Sequence, residues 1–124
     1  MSDFIKLNFV DSNYEKRRII FVKKDVLKKY KGLQGSEEDS IKMILELLSE
    51  NKPLSSEKHR KLRGYENIWE IKENQHRFFY KKLDDICLFC YYKEKKSKRL
   101  NAQTLKSIEK RCNRYAEDFI KKYG

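Results

Sequence analysis

Three strand-like segments joined by very short polar connections constrain the fold of this chain more than any other part of its sequence. The segments read NIWEIKE, HRFFYKK and ICLFCYYK, and the connections between them read NQ and LDD. Connections this short join strands only as antiparallel neighbours, because a parallel crossover needs a dozen or more residues. The sequence therefore predicts an antiparallel meander in the second half of the chain.

Helix and strand patterns precede the meander. FIKLNFV and RRIIFV have the residue types of strands, and KKDVLKKYKG those of a short helix that Gly32 ends. Apolar residues then repeat at helical spacing behind a capping box of Ser36 and Asp39. This stripe consists of Ile41, Ile44, Leu45 and Leu48. A buried helix is therefore predicted from Ser36 onward.

A second long helix is predicted to close the chain, beginning near Asn101 or Thr104. Its apolar stripe consists of Leu105, Ile108, Cys112, Tyr115, Phe119 and Ile120. SSEKHRKLRGYEN is expected to be a basic connector. Since 124 residues suit one domain, we expect a single α+β domain over residues 1–124. It would have an antiparallel twisted sheet, helices packed on one sheet face and a C-terminal helix.

The charge balance indicates an acidic partner. The chain has 30 lysines and arginines against 19 acidic residues, a formal net charge of +11. Such an excess attracts nucleic acid or acidic proteins. Seven phenylalanines, eight tyrosines and one tryptophan exclude a disordered basic tail, which would lack bulky core-forming residues.

The cysteines and the N-terminal sequence bear on location and on metal binding. The chain opens without a secretory signal and has no apolar run of membrane-spanning length, so we expect a cytoplasmic protein with free thiols. Cys87 and Cys90 form a C-x-x-C pair, but strand alternation directs them to opposite faces. Neither histidine has metal-ligand spacing to this pair. No metal or other cofactor is expected.

Strand alternation divides the meander into two faces. The almost wholly apolar face, expected to pack against helices, carries Trp69, Ile71, Phe78, Tyr80, Cys87, Phe89 and Tyr91. The other face carries Glu70, Lys72, Arg77, Lys81 and Tyr92 among apolar neighbours. Burying these charges without partners is costly. We therefore expect the second face to meet water or a ligand, with Arg77 beside Tyr92.

A run of cations follows Tyr92 directly. It contains Lys93, Lys95, Lys96, Lys98 and Arg99. With Arg77 and Tyr92 the run would suit an RNA strand, since cations bind phosphate and a phenol stacks on a base. An ordinary solvated loop fits the charge pattern equally well. The cations expected on RNA backbone are Lys95 and Lys98 of the run, Lys58, Arg60, Lys61 and Arg63 of the connector, and Lys72 and Lys81 of the exposed face.

The stretches LRGYENIWEI, HRFFY, LFCYYK and IEKRCNRY, within about residues 41–123, resemble a known family pattern. The pattern is a basic-glycine connector, an aromatic-glutamate strand, a strand with arginine before tyrosine, an apolar strand ending in aromatic and basic residues, and a basic helix. It is similar to that of the RelE/ParE superfamily of bacterial toxins, and within it to the HigB or phage Gp49-like group.

The resemblance implies a RelE-like fold and a toxin of a type II toxin–antitoxin pair that cuts mRNA in the ribosomal A site without a metal. The catalytic set that it implies is Arg77 on the scissile phosphate, with Tyr92, Lys93, Lys96 and Arg99. The run KEKKSKR makes this chain a few residues longer than the pattern, so the role of each cation stays open. No histidine follows His76, although some members end in a catalytic His-Tyr pair.

Metal-free RNA cleavage needs a base for the 2′-OH proton, cations for the charged phosphorane and an acid for the leaving oxygen. Arg77 fits the electrostatic role because its charge is permanent. The base stays open among Glu57, Glu70, His76 and a lysine of the run that crowded like charges would make neutral.

Two other functions fit the same sequence. One is a ParE-like inhibitor of DNA gyrase, and the other is a nucleic-acid-binding module without enzymatic activity. A toxin also implies a HigA-like helix-turn-helix antitoxin, in a heterotetramer that binds DNA through the antitoxin. Its other partners would be the ribosome and mRNA, and no membrane is expected.

Overall fold

A six-stranded sheet with strand order β1-β2-β6-β5-β4-β3 forms the centre of the molecule. The computed structural model describes residues 3–8, 16–94 and 100–124. The strands are β1 (Phe4–Leu7), β2 (Arg18–Val22), β3 (His59–Lys61), β4 (Ile68–Glu73), β5 (His76–Leu83) and β6 (Ile86–Glu94). The helices are α1 (Lys28–Lys31), which continues a π-helical turn at Lys23–Leu27, α2 (Gly35–Ser49) and α3 (Ala102–Tyr123). The class is α+β, as expected.

The predicted meander is confirmed. Strand β4 pairs antiparallel with β5, and β5 pairs antiparallel with β6. Asn74 and Asp84 each open a two-residue hairpin loop in the left-handed conformation, with φ of 54° and 53°. Asparagine and aspartate tolerate this conformation better than most residues, so both loops suit the sequence locally.

The prediction of a purely antiparallel sheet is wrong, because β2 runs parallel to β6. Arg18 is paired with Ile86, and Phe21 with Phe89. No short turn connects these two strands, so nothing local to either of them determines their relative direction. The result is a mixed sheet in which the apolar β2 lies beside the meander.

Helices lie on both faces of the sheet, whereas the sequence led us to expect them on one. Tyr30 of α1 packs on Phe21, with ring centroids 5.2 Å apart. Phe119 of α3 packs on Phe4, also at 5.2 Å. Phe4 is paired with Val22, the neighbour of Phe21, and therefore points to the opposite face. We call the surface that carries Phe4 the α3 face. We call the surface that carries Phe21 the α2 face, because Glu37 of α2 contacts His76 there.

Both faces carry enough apolar side chains to need a cover, which explains the two layers of helices. Ile20, Leu88 and Phe79 are buried on the α3 face. Phe21, Phe89 and Phe78 are buried on the α2 face. Strands that are buried on both faces have nearly continuous apolar sequences, and β2 and the middle of β5 fit that description.

The helix ends differ in how well they were predicted. Asn101 caps α3 by accepting a hydrogen bond from the Thr104 backbone N–H at 2.7 Å, so the predicted start is confirmed. The capping box at Ser36 is wrong, because α2 begins at Gly35 and no side chain caps it. Ile120, expected in the buried stripe of α3, is 53% exposed.

The segment expected to be a basic connector contains a strand, β3. Its register places His59 opposite Ile71 and Arg60 opposite Glu70 of β4. The three-residue strand was missed because alternating lysines, arginine and histidine have the composition of a loop. This edge strand positions several of the residues discussed below.

The expectation of free thiols is wrong for two of the cysteines. Cys90 of β6 and Cys112 of α3 form a disulfide with their Cα atoms 5.3 Å apart, while Cys87 is free and buried. Cys112 lies in the buried stripe of α3, and Cys90 is the residue at which β6 bulges. The bond fixes α3 to the sheet on the face where α3 packs.

Candidate nucleic-acid interface

Three cations stand side by side across three neighbouring strands on the α3 face. Lys72 of β4 is paired with Arg77 of β5, which is in turn paired with Lys93 of β6. Like charges directly opposite each other destabilise a sheet unless another charge compensates them. We call these three residues the cation row. A row of this kind is suited to an anionic ligand.

The prediction that Arg77 lies on a solvent-exposed face is wrong, because the side chain is 0% exposed. The α3 face is covered next to it: the Arg111 guanidinium lies over the Tyr91 ring at 5.3 Å, and Cys112 is bonded to Cys90. Alternation placed Arg77 correctly opposite the Trp69 face, but that second face also carries a helix. The sequence therefore predicted the direction of the Arg77 side chain correctly and its exposure incorrectly.

Glu70 compensates the buried charge of Arg77. One carboxylate oxygen of Glu70 lies 3.5 Å from Nη1 of Arg77, and the other lies 3.3 Å from Nε of Arg60 on β3. Glu70 is itself only 1% exposed. A buried charge needs such a partner because water no longer solvates it. One acid shared by two arginines leaves this group of residues with a net positive charge.

Tyr92 does not lie beside Arg77, and this prediction is also wrong. A bulge shifts the pairing of β5 and β6, so that Phe79 is opposite Tyr91 while Tyr80 is opposite Phe89. Cys90 is the extra residue. Because one inserted residue reverses the faces beyond it, Tyr91 shares the α3 face with Phe79, and Tyr92 packs on Phe78 at 4.9 Å on the α2 face.

On the α2 face Tyr92 belongs to a hydrogen-bonded network that the sequence did not indicate. Nδ1 of His76 lies 2.6 Å from the Tyr92 hydroxyl, and its Nε2 lies 3.0 Å from the Glu37 carboxylate. Asn74 donates to the same carboxylate oxygen at 3.1 Å. Glu37 comes from α2, far from the meander in sequence, so no spacing signal could have revealed the contact.

The environment of this network keeps its phenol protonated and its carboxyl ionised. Burial, with the charges of Glu94 and Glu37, raises the pKa of Tyr92 to about 12. The hydrogen bonds from Asn74 and then His76 lower the pKa of Glu37. His76 lies between the two groups, with Nδ1 at the Tyr92 hydroxyl and Nε2 near the Glu37 carboxylate. The arrangement suits holding α2 against the sheet or delivering a proton.

A polar groove of about 590 Å³ brings together three of the cations predicted to bind RNA backbone. Lys58, Arg60 and Lys72 line it, and Lys72 also belongs to the cation row. The remaining lining residues are Ser56, Glu57 and Asn74. The groove therefore joins the exposed edge of the sheet to the cation row, and it holds one acid, Glu57, among the cations.

Other predicted RNA-binding residues lie apart from this groove. Lys61 and Arg63 line a separate depression of about 510 Å³ with Leu62, Gly64 and Tyr65. Lys81 donates a hydrogen bond to the Glu66 carbonyl at 2.9 Å, which holds its ammonium group at the far end of β5. The predicted residues Lys95, Lys96, Lys98 and Arg99 lie outside the described part of the chain.

The described residues hold no cluster of histidine, cysteine and acidic side chains suited to a metal ion. Within residues 3–8, 16–94 and 100–124, no helix has the length and apolar character needed to cross a bilayer.

Comparisons with known proteins give one similar solved structure. No protein-family model matches the chain, and neither does any curated protein. The crystal structure of the isolated E. coli RelE toxin is similar with a TM-score of 0.49 and 20% sequence identity, covering 73% of this chain and 96% of that one.

Proposed function

We propose that this protein is the toxin of a type II toxin–antitoxin pair, an endoribonuclease that cuts mRNA on the ribosome and so stops translation. The resemblance of about residues 41–123 to the HigB-like group of the RelE/ParE superfamily supports the reaction and the biological role. The net charge of +11 supports a polyanionic substrate.

The observation that carries the proposal is the cation row, Lys72–Arg77–Lys93, continuous with the groove at Lys58 and Arg60. Three cations in direct cross-strand register cost stability unless an anion offsets them. Glu70 contacts both Arg60 and Arg77, so two arginines share one carboxylate. An RNA phosphate beside Lys72 and Lys93 would complete the balance.

In the proposed reaction the 2′-OH of the RNA attacks the neighbouring phosphate. Glu57, the acid in the groove, takes the 2′-OH proton, and the 2′ oxygen forms a bond to phosphorus. The bond between phosphorus and the 5′ oxygen breaks, and a lysine ammonium of the row protonates that oxygen. The products are a 2′,3′-cyclic phosphate and a free 5′-OH. Lys72, Lys93 and Arg60 stabilise the phosphorane charge.

Arg77 acts in this scheme without touching RNA in the conformation described. Its guanidinium is fully buried, and its strand position lies between Lys72 and Lys93; a low local dielectric there strengthens its attraction for a phosphate bound at the row. Direct contact with the scissile phosphate would require the contact with Glu70 to open. The family resemblance also implies catalytic roles for Tyr92, Lys96 and Arg99, and these roles are part of the proposal.

A second function, nucleic-acid binding without cleavage, is favoured by one observation. Arg77, the residue that the resemblance places on the scissile phosphate, is buried and held by Glu70. A module of this kind would bind RNA in a salt-sensitive way and would not stop growth. Inhibition of DNA gyrase remains a third possible outcome of the experiment below.

The proposal includes an inhibitory partner. A HigA-like helix-turn-helix antitoxin would bind the protein in a heterotetramer that contacts DNA through the antitoxin, and the toxin would otherwise meet the ribosome and mRNA in the cytoplasm. Co-expression with such a protein should abolish the growth arrest described next.

Induced expression in bacteria, followed by mapping of mRNA 5′ ends, tests the proposal. We expect the wild type to stop growth and to produce new 5′ ends within reading frames. The double substitution Lys72→Ala and Lys93→Ala should suppress both, whereas Lys42→Ala, an exposed lysine on α2, should suppress neither. Growth arrest with intact mRNA and DNA-damage signals would indicate gyrase instead. Normal growth with salt-sensitive RNA binding would indicate a non-enzymatic module.

A further inference from the structure

Three aromatic rings lie nearly parallel on the α2 face at the β3 edge of the sheet. The Trp69 ring is stacked 4.8 Å from His59, with 17° between the ring planes. Tyr80 lies 6.4 Å from Trp69 at 8° and 5.9 Å from His59 at 10°. Nε2 of His59 is 2.7 Å from the Tyr80 hydroxyl. His59 and Tyr80 thus form a flat hydrogen-bonded pair, and Trp69 is stacked on it.

The sheet itself sets this geometry. Trp69 is directly opposite Tyr80 in the β4–β5 register and opposite Lys61 in the β3–β4 register. His59 lies two residues from Lys61 on the same face of β3, within reach of both rings. Because each ring comes from a different strand, the stack is held by the backbone pairing and not by a loop.

The stack opens to solvent on the side of Trp69 and His59. Tyr80 is fully buried, whereas Trp69 and His59 are partly exposed. Burial and the nearby charge of Arg17 lower the pKa of His59 to about 4, so the imidazole is neutral at physiological pH. A neutral, flat and partly exposed aromatic surface is the kind on which unpaired nucleobases stack.

Exposed cations lie close to the rings in the strand register and in the sequence. Lys61, opposite Trp69, and Arg63, two residues further along, are both exposed. Arg17 is close enough to affect both His59 and Tyr80 electrostatically. A base on the rings with phosphates on these cations matches the combination that single-stranded nucleic acids require. An uncharged aromatic ligand would make no use of the cations.

We propose that Trp69 is a stacking site for one unpaired nucleobase of single-stranded RNA, with the adjoining phosphates on Lys61 and Arg63. The site is separate from the cation row, since Arg60 points to the α3 face and its neighbours His59 and Lys61 to the α2 face. An RNA strand would pass around the β3 edge, from the groove on one face to the ring stack on the other. The inference rests on RNA being the ligand of the proposed function and does not depend on cleavage.

The chain contains one tryptophan, so its fluorescence reports on this site alone. Titration of the full-length protein with an eight-nucleotide oligouridylate or oligoadenylate should quench the fluorescence, because a stacked base is in direct contact with the indole. An abasic oligomer with the same number of phosphates should bind through charge and leave the fluorescence nearly unchanged. The deoxy oligomer shows whether the site distinguishes RNA from DNA.

Trp69→Leu should weaken binding of the base-bearing oligomer by roughly 5- to 150-fold and leave binding of the abasic oligomer unchanged. Trp69→Phe should retain most of the affinity. Tyr123→Leu, at an exposed ring near the opposite sheet edge, is the matched control and should change neither. Circular dichroism verifies that each variant folds. The comparison of base-bearing and abasic oligomers uses the wild type alone, so it tests the stacking site even if a variant does not fold.

Equal quenching by the abasic oligomer, or equal affinity of Trp69→Leu and the wild type for the base-bearing oligomer, overturns the inference. Failure of the proposed nuclease function would give a different result from failure of the stacking site. A wild type that leaves mRNA intact in cells but shows base-dependent quenching loses the nuclease assignment and keeps the stacking site.

Discussion

The two faces of the sheet at the β4–β5 hairpin contain similar residue types arranged for opposite purposes. On the α3 face, Lys72, Arg77 and Lys93 stand in a row with one shared acid behind them. On the α2 face, the next residues along the same strands, His76 and Tyr92, form a hydrogen-bonded network with Glu37. Adjacent residues in sequence thus contribute to a cationic surface and to a nearly neutral one.

The difference shows what each face can do. The α3 face sets three cations in one cross-strand row, with the acid Glu70 shared between Arg77 and Arg60, which suits a bound phosphate. The α2 face links its polar groups to one another, His76 to Tyr92, Asn74 to Glu37 and His59 to Tyr80, which suits fixing α2 in place and presenting neutral rings. A ligand with both phosphates and bases would use both faces, the first for charge and the second for stacking.

Removing the buried acid of the α3 face should have the largest effect on stability. Glu70→Leu leaves the Arg77 guanidinium buried without its carboxylate, which should cost about 3 kcal/mol or more of the free energy of unfolding. The double substitution Glu70→Leu and Arg77→Met removes both charges and should recover most of the loss. Urea denaturation of the wild type and of both variants measures these differences in the free energy of unfolding.

Glu73→Leu is the control, because this partly exposed glutamate pairs with the more exposed Lys58. It should cost less than about 1 kcal/mol. A double variant as unstable as Glu70→Leu alone would mean that packing, and not the charge pair, sets the cost.

On the α2 face we expect a pH dependence that comes from His59. Its pKa is about 4 in the folded chain, chiefly because of burial, and about 6.5 when unfolded. The unfolded chain therefore binds the proton more readily between these values. The contribution of His59 is complete above about pH 6.5 and is lost as the pH falls toward about 4. Urea midpoints at several pH values between these limits should decrease accordingly.

His59→Gln should show a flatter pH profile over the same range, because glutamine does not titrate. An equally steep decrease in this variant would assign the pH dependence to other groups and would contradict the neutral state of the ring stack.

A smaller effect is expected from the hydroxyl of Tyr92. Tyr92→Phe removes the hydrogen bond to His76 and should lower the free energy of unfolding by about 1 kcal/mol. Tyr91→Phe on the α3 face is the matched control and should change stability less. Oligonucleotide affinity should stay the same in both variants. A large loss of RNA binding in Tyr92→Phe alone would show that the Tyr92 hydroxyl contributes to RNA affinity as well as to stability.

Local patterns predicted the parts of the fold that local interactions determine. The meander followed from short connections, and the stripes of α2 and α3 followed from helical spacing, with Ile44 and Ile108 buried as expected. The parallel pairing of β2 with β6 depends on contacts between distant segments, and no residue near Phe21 or Phe89 signals it.

The candidate site was harder to predict because one bulged residue decides its composition. With regular pairing, Tyr92 would share the face of Arg77; the extra residue Cys90 gives that place to Tyr91. The covering of Arg77 by α3 likewise depends on how a distant helix packs. Sequence alternation therefore placed Lys72 and Arg77 correctly on one face, but it could not tell which of them water reaches.

The salt dependence of RNA binding tests the cation row most directly. Replacing both Lys72 and Lys93 by alanine should reduce the slope of log K against log salt concentration by about 0.7 for each lysine in contact with a phosphate. Lys42→Ala, which removes one lysine charge from the exposed side of α2, should leave the slope unchanged. If the double variant keeps the wild-type slope, or changes it no more than Lys42→Ala does, the row does not bind RNA and the account is contradicted.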